Sequence, residues 1–176
     1  MNELDINIRK MEAEDLEQVY ALEKASFSTP WSLDSFQFEL KENKAAHLWV
    51  AEVGGDDGEK KVIGMVVVWL LVDEAHIATV AVEEDYRRRG IASQLICTAL
   101  TDLGEKGAIG STLEVREGNK AAQELYRGFG FEFVGRRKGY YKDSGEDAIL
   151  MTLHRLDIDR LTTIACRQAL SSVNGG

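Results

Sequence analysis

The run VIGMVVVWLLV, from Val62 to Val72, constrains this chain more than any other stretch. It is the longest apolar run present and reaches about half the length a membrane-spanning helix requires, so it belongs inside a folded domain. HLWVAEV (His47 to Val53) precedes it across the turn-rich GGDDGEKK. The two apolar segments read as the strands of a hairpin, with glycine and aspartate supplying the positive φ angles of the turn. A chain of 176 residues, 44% of them hydrophobic, suits one globular domain with a single sizeable core.

Periodicity extends the pattern in both directions. Ile6 and Ile8 alternate with polar residues as in a short first strand, and Leu16, Val19, Tyr20 and Phe27 recur at helical spacing. Ser32 caps a second short helix whose apolar side is Leu33, Phe36 and Leu40. HIATVAV (His76 to Val82) is a further strand. After it Ile91, Leu95, Ile96, Ala99, Leu100 and Leu103 form the buried stripe of a helix that stops around Gly104 to Gly107. STLEVR is a strand, and GNKAAQELYRGFG carries a helix up to Gly128 and Gly130. FEFVGRRKGYY and DAILMTLH are two closing strands joined through KDSGE. The order β α α β β β α β α β β predicts an α/β fold of the mixed α+β kind, with a mostly antiparallel sheet and two crossover helices. From Asp157 the tail reads either as one more helix, through Ile158, Leu161, Ile164 and Ala165, or as a frayed end.

Composition narrows the functions. The amino terminus MNELDINIRK lacks the apolar core of a signal peptide, which points to a soluble, cytoplasmic protein. Cys97 and Cys166 have no paired spacing, and Cys97 falls among helical core positions, in keeping with a reducing compartment. His47, His76 and His154 are scattered without a metal-ligand spacing, so no metal site is expected. A net charge of -9 disfavours nucleic acid and suits a cationic partner.

Against that acidity, DYRRRGIASQL (Asp85 to Leu95) places three arginines and a glycine where a strand hands over to a helix. The first amides of any helix lack internal partners and carry the positive end of its dipole, so backbone alone can bind a phosphate there. Gly90 and Ala92 let a bulky anion approach closely, and Arg87, Arg88 and Arg89 add charge. The alternative is that the arginines line a solvated turn and answer Glu83, Glu84 and Asp85. Neither a nucleotide triphosphatase loop nor a G-x-G-x-x-G element occurs.

Arg87 to Ala92 fits [QR]-x-x-G-x-[GA], the signature of the GNAT superfamily of acyl-CoA-dependent N-acetyltransferases. DEAHIATVAVEEDYRRRGIASQLI, TLEVREGNKAAQELYRGFGFEFVGRRKGYY and GEDAILM, with FSTPWSLDSF upstream, resemble the bacterial ribosomal-protein-alanine N-acetyltransferases of the RimI type. The resemblance covers about Ile8 to Leu153, implying a GNAT domain over 1–154 and a tail over 155–176. It implies acetyl-CoA as cofactor, with the strand backbone at Thr79, Val80, Ala81 and Val82 pairing with pantetheine. The amides from Arg88 through Gly90 and Ile91 to Ala92 would then face the diphosphate. Ala92 stands where close relatives usually have glycine, and Thr79 where they commonly have asparagine.

Acetyl transfer to an amine requires a base, a donor to the oxyanion and an acid for the departing thiolate. Strand alternation isolates Glu114 on its local face, and the resemblance makes it the base in place of an ordinary exposed glutamate; partial burial or a water relay would help it. The resemblance assigns Tyr126 as the acid, against a core aromatic, and gives Asn119 a cofactor contact beside its capping role. A bulge near Val80 or Ala81 would free an amide for the oxyanion. For the acceptor groove the resemblance points to Arg137, Tyr140 and Tyr141, with Glu146 and Asp147 behind them. Edge-strand tyrosines are the alternative. Trp31 and Phe36 would form the opposite wall, and Glu74 with Asp73 would attract an entering ammonium.

The expected activity is acetyl transfer from acetyl-CoA to the α-amino group of a protein amino terminus, the alanine of a small-subunit ribosomal protein, directly within a ternary complex. The rivals are a GNAT enzyme acting on a small amine or lysine side chain and a non-catalytic acyl-CoA-binding regulatory module. No nucleic-acid or membrane partner is implied, and a monomer or weak dimer suffices.

Overall fold

The computed structural model describes residues 5–55 and 58–173. Its strands are β1 (Ile6–Lys10), β2 (Ala46–Gly54), β3 (Lys60–Leu71), β4 (Glu74–Val82), β5 (Gly110–Arg116), β6 (Glu132–Arg137) and β7 (Ala148–Leu153). Its α-helices are α1 (Leu16–Ser26), α2 (Leu33–Lys41), α3 (Ile91–Glu105), α4 (Lys120–Phe129) and α5 (Ile158–Val173). The strands make one sheet in the order β1-β2-β3-β4-β5-β7-β6. Every neighbouring pair is antiparallel except β4 with β5. The mixed, mostly antiparallel fold expected from the element order is therefore the one observed.

The apolar run of β3 is continuous because both faces of the sheet are covered. Ile63, Val66 and Val68 join a core with α3, α4 and Leu161 of α5, whereas Val62, Met65 and Val67 join a second core with α1 and α2. The strict alternation slips at the bulge opposite Ala51 and Glu52, where one extra β3 residue is accommodated. The β2–β3 connection closes through the Gly55 amide donating to the Glu59 carbonyl, and Gly58 takes φ +81°. Asp56 and Asp57, to which the turn chemistry was assigned, lie outside the described residues.

Helix ends follow local chemistry. Ser32 Oγ accepts from the Ser35 amide at the start of α2, as its position predicts, and Asn119 Oδ1 accepts from the Ala122 amide at the start of α4. Gly130 closes α4 with φ 96°. Leu161 and Ala165 of α5 are buried in the same core as α3. Cys97 is packed within α3, and the surroundings of Cys166 lie outside the described residues. Among the described residues no helix is long and apolar enough to cross a membrane.

Two expectations are corrected. FEFVGRRKGYY does not run as a strand to its end: β6 stops at Arg137, and Tyr140 and Tyr141 sit in the β6–β7 connection. The Gly139 amide, at φ +57°, donates to Asp147 Oδ1, and the Tyr141 amide donates to the Glu146 carbonyl, so the chain turns there instead of extending. The irregularity in β4 lies upstream of Val80 and Ala81. Val68 faces Ile77 while Val67 faces Thr79, which leaves Ala78 as the extra residue. β4 is tied to β5 only as far as Ile77, and the bulge falls where that tie ends.

Candidate active site

The parallel pairing of β4 with β5 runs from Glu74–Gly110 to Ile77–Leu113 and goes no further, although β4 continues to Val82 and β5 to Arg116. The sheet forks, and two cavities open along the fork. The first, about 490 Å³, is lined by Val80, Ala81 and Val82 of β4, by Arg87, Arg88, Gly90, Ile91 and Ala92 at the junction, and by Ala122, Leu125 and Tyr126 of α4. The second, about 540 Å³, is lined by Glu23, Phe27 and Trp31 from the α1–α2 side, Thr79 of β4, Glu114 of β5, Asn119 and Tyr141. Val80, Ala122 and Tyr126 line both.

The junction is built to receive an anion. Gly90 is the N-cap of α3 at φ 75° and supplies no side chain, so no capping oxygen competes for the first amides, and no acidic residue stands in the first turn. Arg88, at φ 59°, also takes the left-handed conformation, uncommon for a residue with a side chain. Left-handed residues flanking a helix start gather backbone amides into a concave anion site. The alternative pairing of the arginines with Glu83, Glu84 and Asp85 carboxylates is not seen among the described residues: Glu83 pairs with Lys61 at 2.7 Å. Arg87 Nε instead donates to the Val82 carbonyl, bracing the end of β4, while Arg89 donates to the Asp85 carbonyl and lies over the Tyr86 ring. Arg89 does not line the cavity. Amides, Gly90 and the flanking guanidinium groups together fit a diphosphate, and the apolar channel behind them fits an uncharged arm.

In the second cavity Glu114 Oε1 sits 3.2 Å from Arg137 Nη1. Its charge and a hydrogen bond with the Tyr140 phenol push that phenol's pKa up. Tyr126 is 8% exposed, with its ring edge-on to Phe131. Burial raises its phenol well above the ordinary range, so the hydroxyl stays protonated at every working pH. Trp31 stacks on Trp69, which stacks on His76, while Phe36 is wholly buried beneath Trp31 and so cannot be a wall of the groove. Glu74 accepts from the Thr112 hydroxyl, whose oxygen lies 3.1 Å from His76 Nδ1, and burial lowers the pKa of that imidazole. Arg137 and Tyr140 thus stand beside Glu114, whereas Glu74 stands beside Thr112, and none of the three is among the residues that line either cavity.

Two further residues were not singled out by the sequence reading. Arg116 lies over the Tyr141 ring at 3.9 Å and binds Asp143, which accepts from Ser28 in the α1–α2 connection. This clasp joins the β6–β7 connection to the far side of the second cavity. Glu23 is 2% exposed and lines that cavity. A signal for it existed: Glu23 falls in register with Leu16, Val19, Tyr20 and Phe27, a carboxylate on an apolar helical stripe.

A model of the acetyltransferase (GNAT) family matches residues 16–131. The chain belongs to the GNAT acetyltransferase family. Within it, a Bacillus subtilis (strain 168) protein provisionally named as a ribosomal protein bS18-alanine N-acetyltransferase is 40% identical over 144 residues, 82% of this chain and 92% of that one. Among solved structures, the Escherichia coli ribosomal-protein-S18-alanine N-acetyltransferase superposes with a TM-score of 0.74 at 29% identity, covering 86% of this chain and 96% of that one. The NatC complex bound to Gag peptide and CoA matches with a TM-score of 0.74 at 25% identity, covering 88% of this chain and 100% of that one. GNAT enzymes draw their acetyl group from acetyl-CoA.

Proposed function

We propose that this GNAT enzyme acetylates the α-amino group of a protein amino terminus, with the alanine of ribosomal protein bS18 as the acceptor its relatives are named for. The observation that carries the reading is that Val80, Ala122 and Tyr126 belong to both cavities, so a cofactor in one meets an acceptor in the other at those side chains.

Acetyl-CoA, when bound, supplies a carbonyl carbon activated as a thioester. The junction amides of Arg88 to Ala92 would hold the diphosphate, and the backbone of Thr79 to Val82 would line the arm. Glu114 receives the proton of the attacking amine, directly or through one water. An α-amine of ordinary pKa, roughly 7.8, needs only about 1 kcal/mol to deprotonate at neutral pH, whereas a lysine at roughly 10.4 needs about 4.6 kcal/mol. A carboxylate is therefore an adequate base for the terminal amine and a poor one for lysine. Tyr126, buried and neutral, donates its proton to the departing sulfur. Tyr141, Arg116 and Trp31 shape the entrance, and Arg137 and Tyr140 orient Glu114. Residues of one chain line both cavities, in keeping with a monomer, and the cytoplasm, where ribosomal proteins are made, is the place of action.

The test is turnover of a short peptide beginning with alanine, with fragmentation mass spectrometry locating the added acetyl group. Modification of the α-amine is expected. Modification confined to a lysine side chain, or turnover of small amines in preference to the peptide, would replace this reading with the small-amine or lysine alternative.

A further inference from the structure

The acceptor cavity holds a second carboxyl group that the chemistry above does not use. Glu23 comes from the last turns of α1 and is 2% exposed. Its Oε1 accepts from the Trp31 amide at 3.0 Å, which fixes the chain between α1 and α2. Its Oε2 is buried with no donor in good hydrogen-bond geometry among the described residues, the Thr79 hydroxyl being the one side-chain donor close enough to favour its charged form. The Thr79 side chain stands beside the carboxyl, and Glu23, Thr79 and Glu114 line one cavity. A buried carboxylate oxygen left unsatisfied is costly and calls for an explanation, and of the three among the described residues, with those of Glu83 and Asp102, only that of Glu23 lines this cavity. Burial holds this carboxyl above its ordinary pKa, as expected of a charge awaiting a counter-ion.

We propose that Glu23 is an acceptor-binding residue: its unsatisfied oxygen receives a hydrogen bond from the terminal amino group of the peptide, holding that group from the α1 side while Glu114 faces it from β5. The inference rests on the reading that this cavity takes an amino terminus. An α-ammonium carries three donors and surrenders one proton before attack. A second carboxylate on the remaining N–H bonds adds to the binding of the amino group in both its charged and its neutral form. It also favours a free amine over a blocked terminus, because a group that cannot donate leaves the buried oxygen unpaired.

Glu23→Gln keeps a carbonyl oxygen for the Trp31 amide and removes the charge, so it separates binding from scaffolding. The expected result with an alanine-starting peptide is a KM raised about tenfold, the loss of one charge-assisted hydrogen bond, with kcat within about twofold and acetyl-CoA affinity unchanged. A companion peptide with hydroxyl in place of its α-amine, used as a competitive inhibitor, should bind the wild type more weakly than the amine peptide and bind Glu23→Gln with that difference largely gone. An unchanged KM in folded Glu23→Gln overturns the proposal and leaves Glu23 as an anchor for Trp31. If that variant fails to fold, Glu23→Asp keeps the charge but withdraws the oxygens by one methylene. A raised KM then supports the proposal and an unchanged one overturns it. Wild type that turns over no peptide at all defeats the underlying reading instead, a distinct result.

Discussion

Tyr126 and Glu114 sit in the same cavity but are held by opposite means. The tyrosine is buried in the α4 packing against Phe131, and the glutamate is tethered at a strand surface by Arg137 and Tyr140. Burial keeps the phenol neutral, which is what an acid needs, while a guanidinium and a neutral phenol keep Glu114 oriented. Tyr126→Phe preserves the packing volume and removes the proton. It should lower kcat roughly a hundredfold while leaving acetyl-CoA affinity, measured by calorimetry, and the melting temperature nearly unchanged. A variant with full kcat would make Tyr126 a packing residue only. Glu114 could be picked out by strand alternation, whereas the roles of Arg116 and Glu23 were hidden, because ion pairs and unsatisfied oxygens depend on which loops meet across the fold. His76 was noticed only as a lone histidine, although the structure stacks it on Trp69 and ties it to Thr112.

The element that does most to place the site is the start of α3, which rests on β3 at Gly64. A Cβ built there would lie 3.1 Å from Leu95 Cδ1, 3.3 Å from the Ala81 carbonyl oxygen and 3.3 Å from Ile91 Cγ2. Leu95 and Ile91 are fully packed and the carbonyl is backbone, so none yields freely. Gly64→Ala should displace the first turn of α3, destabilise the fold by about 1–2 kcal/mol in denaturant titration and weaken acetyl-CoA binding several-fold. Wild-type affinity in that variant would mean the junction tolerates movement. Periodicity reveals these elements well, since the stripe from Ile91 to Leu103 and the β3 run both obey simple rules. It does not reveal the fork. The end of β4–β5 pairing and the extra residue at Ala78 are properties of partner strands, which one strand's alternation does not encode. The tyrosine pair was likewise misread as strand because β propensity is satisfied locally, while the Gly139–Asp147 hydrogen bond that bends the chain is not visible in the run itself.

The whole molecule is a sheet clad on both faces, closed at its β1 edge by a charged clasp and opened at its centre by the fork. At that edge Glu52 is 2% exposed and binds Arg9, Asn7 and Lys60, while Arg9 also binds Asp15. Burial pushes the Glu52 pKa up, but the hydrogen bonds from Arg9, Asn7 and Lys60 outweigh it and bring it to about 2. A depressed carboxyl stabilises the folded state above its unfolded pKa, roughly 4.3, and that stability is lost as pH falls toward 2. Thermal melts should therefore decline across this acid window, and less steeply in Glu52→Gln, which starts less stable at neutral pH. At the centre, both cavities meet at Tyr126 within one chain, and the thiol of Cys97 is packed inside α3, away from the acceptor path. The proposed route is direct attack of the amine on the thioester, with both substrates present together. Initial-rate kinetics with acetyl-CoA and an alanine-starting peptide varied against each other test this most directly. Intersecting reciprocal plots are predicted, and parallel plots, the signature of an acyl-enzyme, would contradict the account.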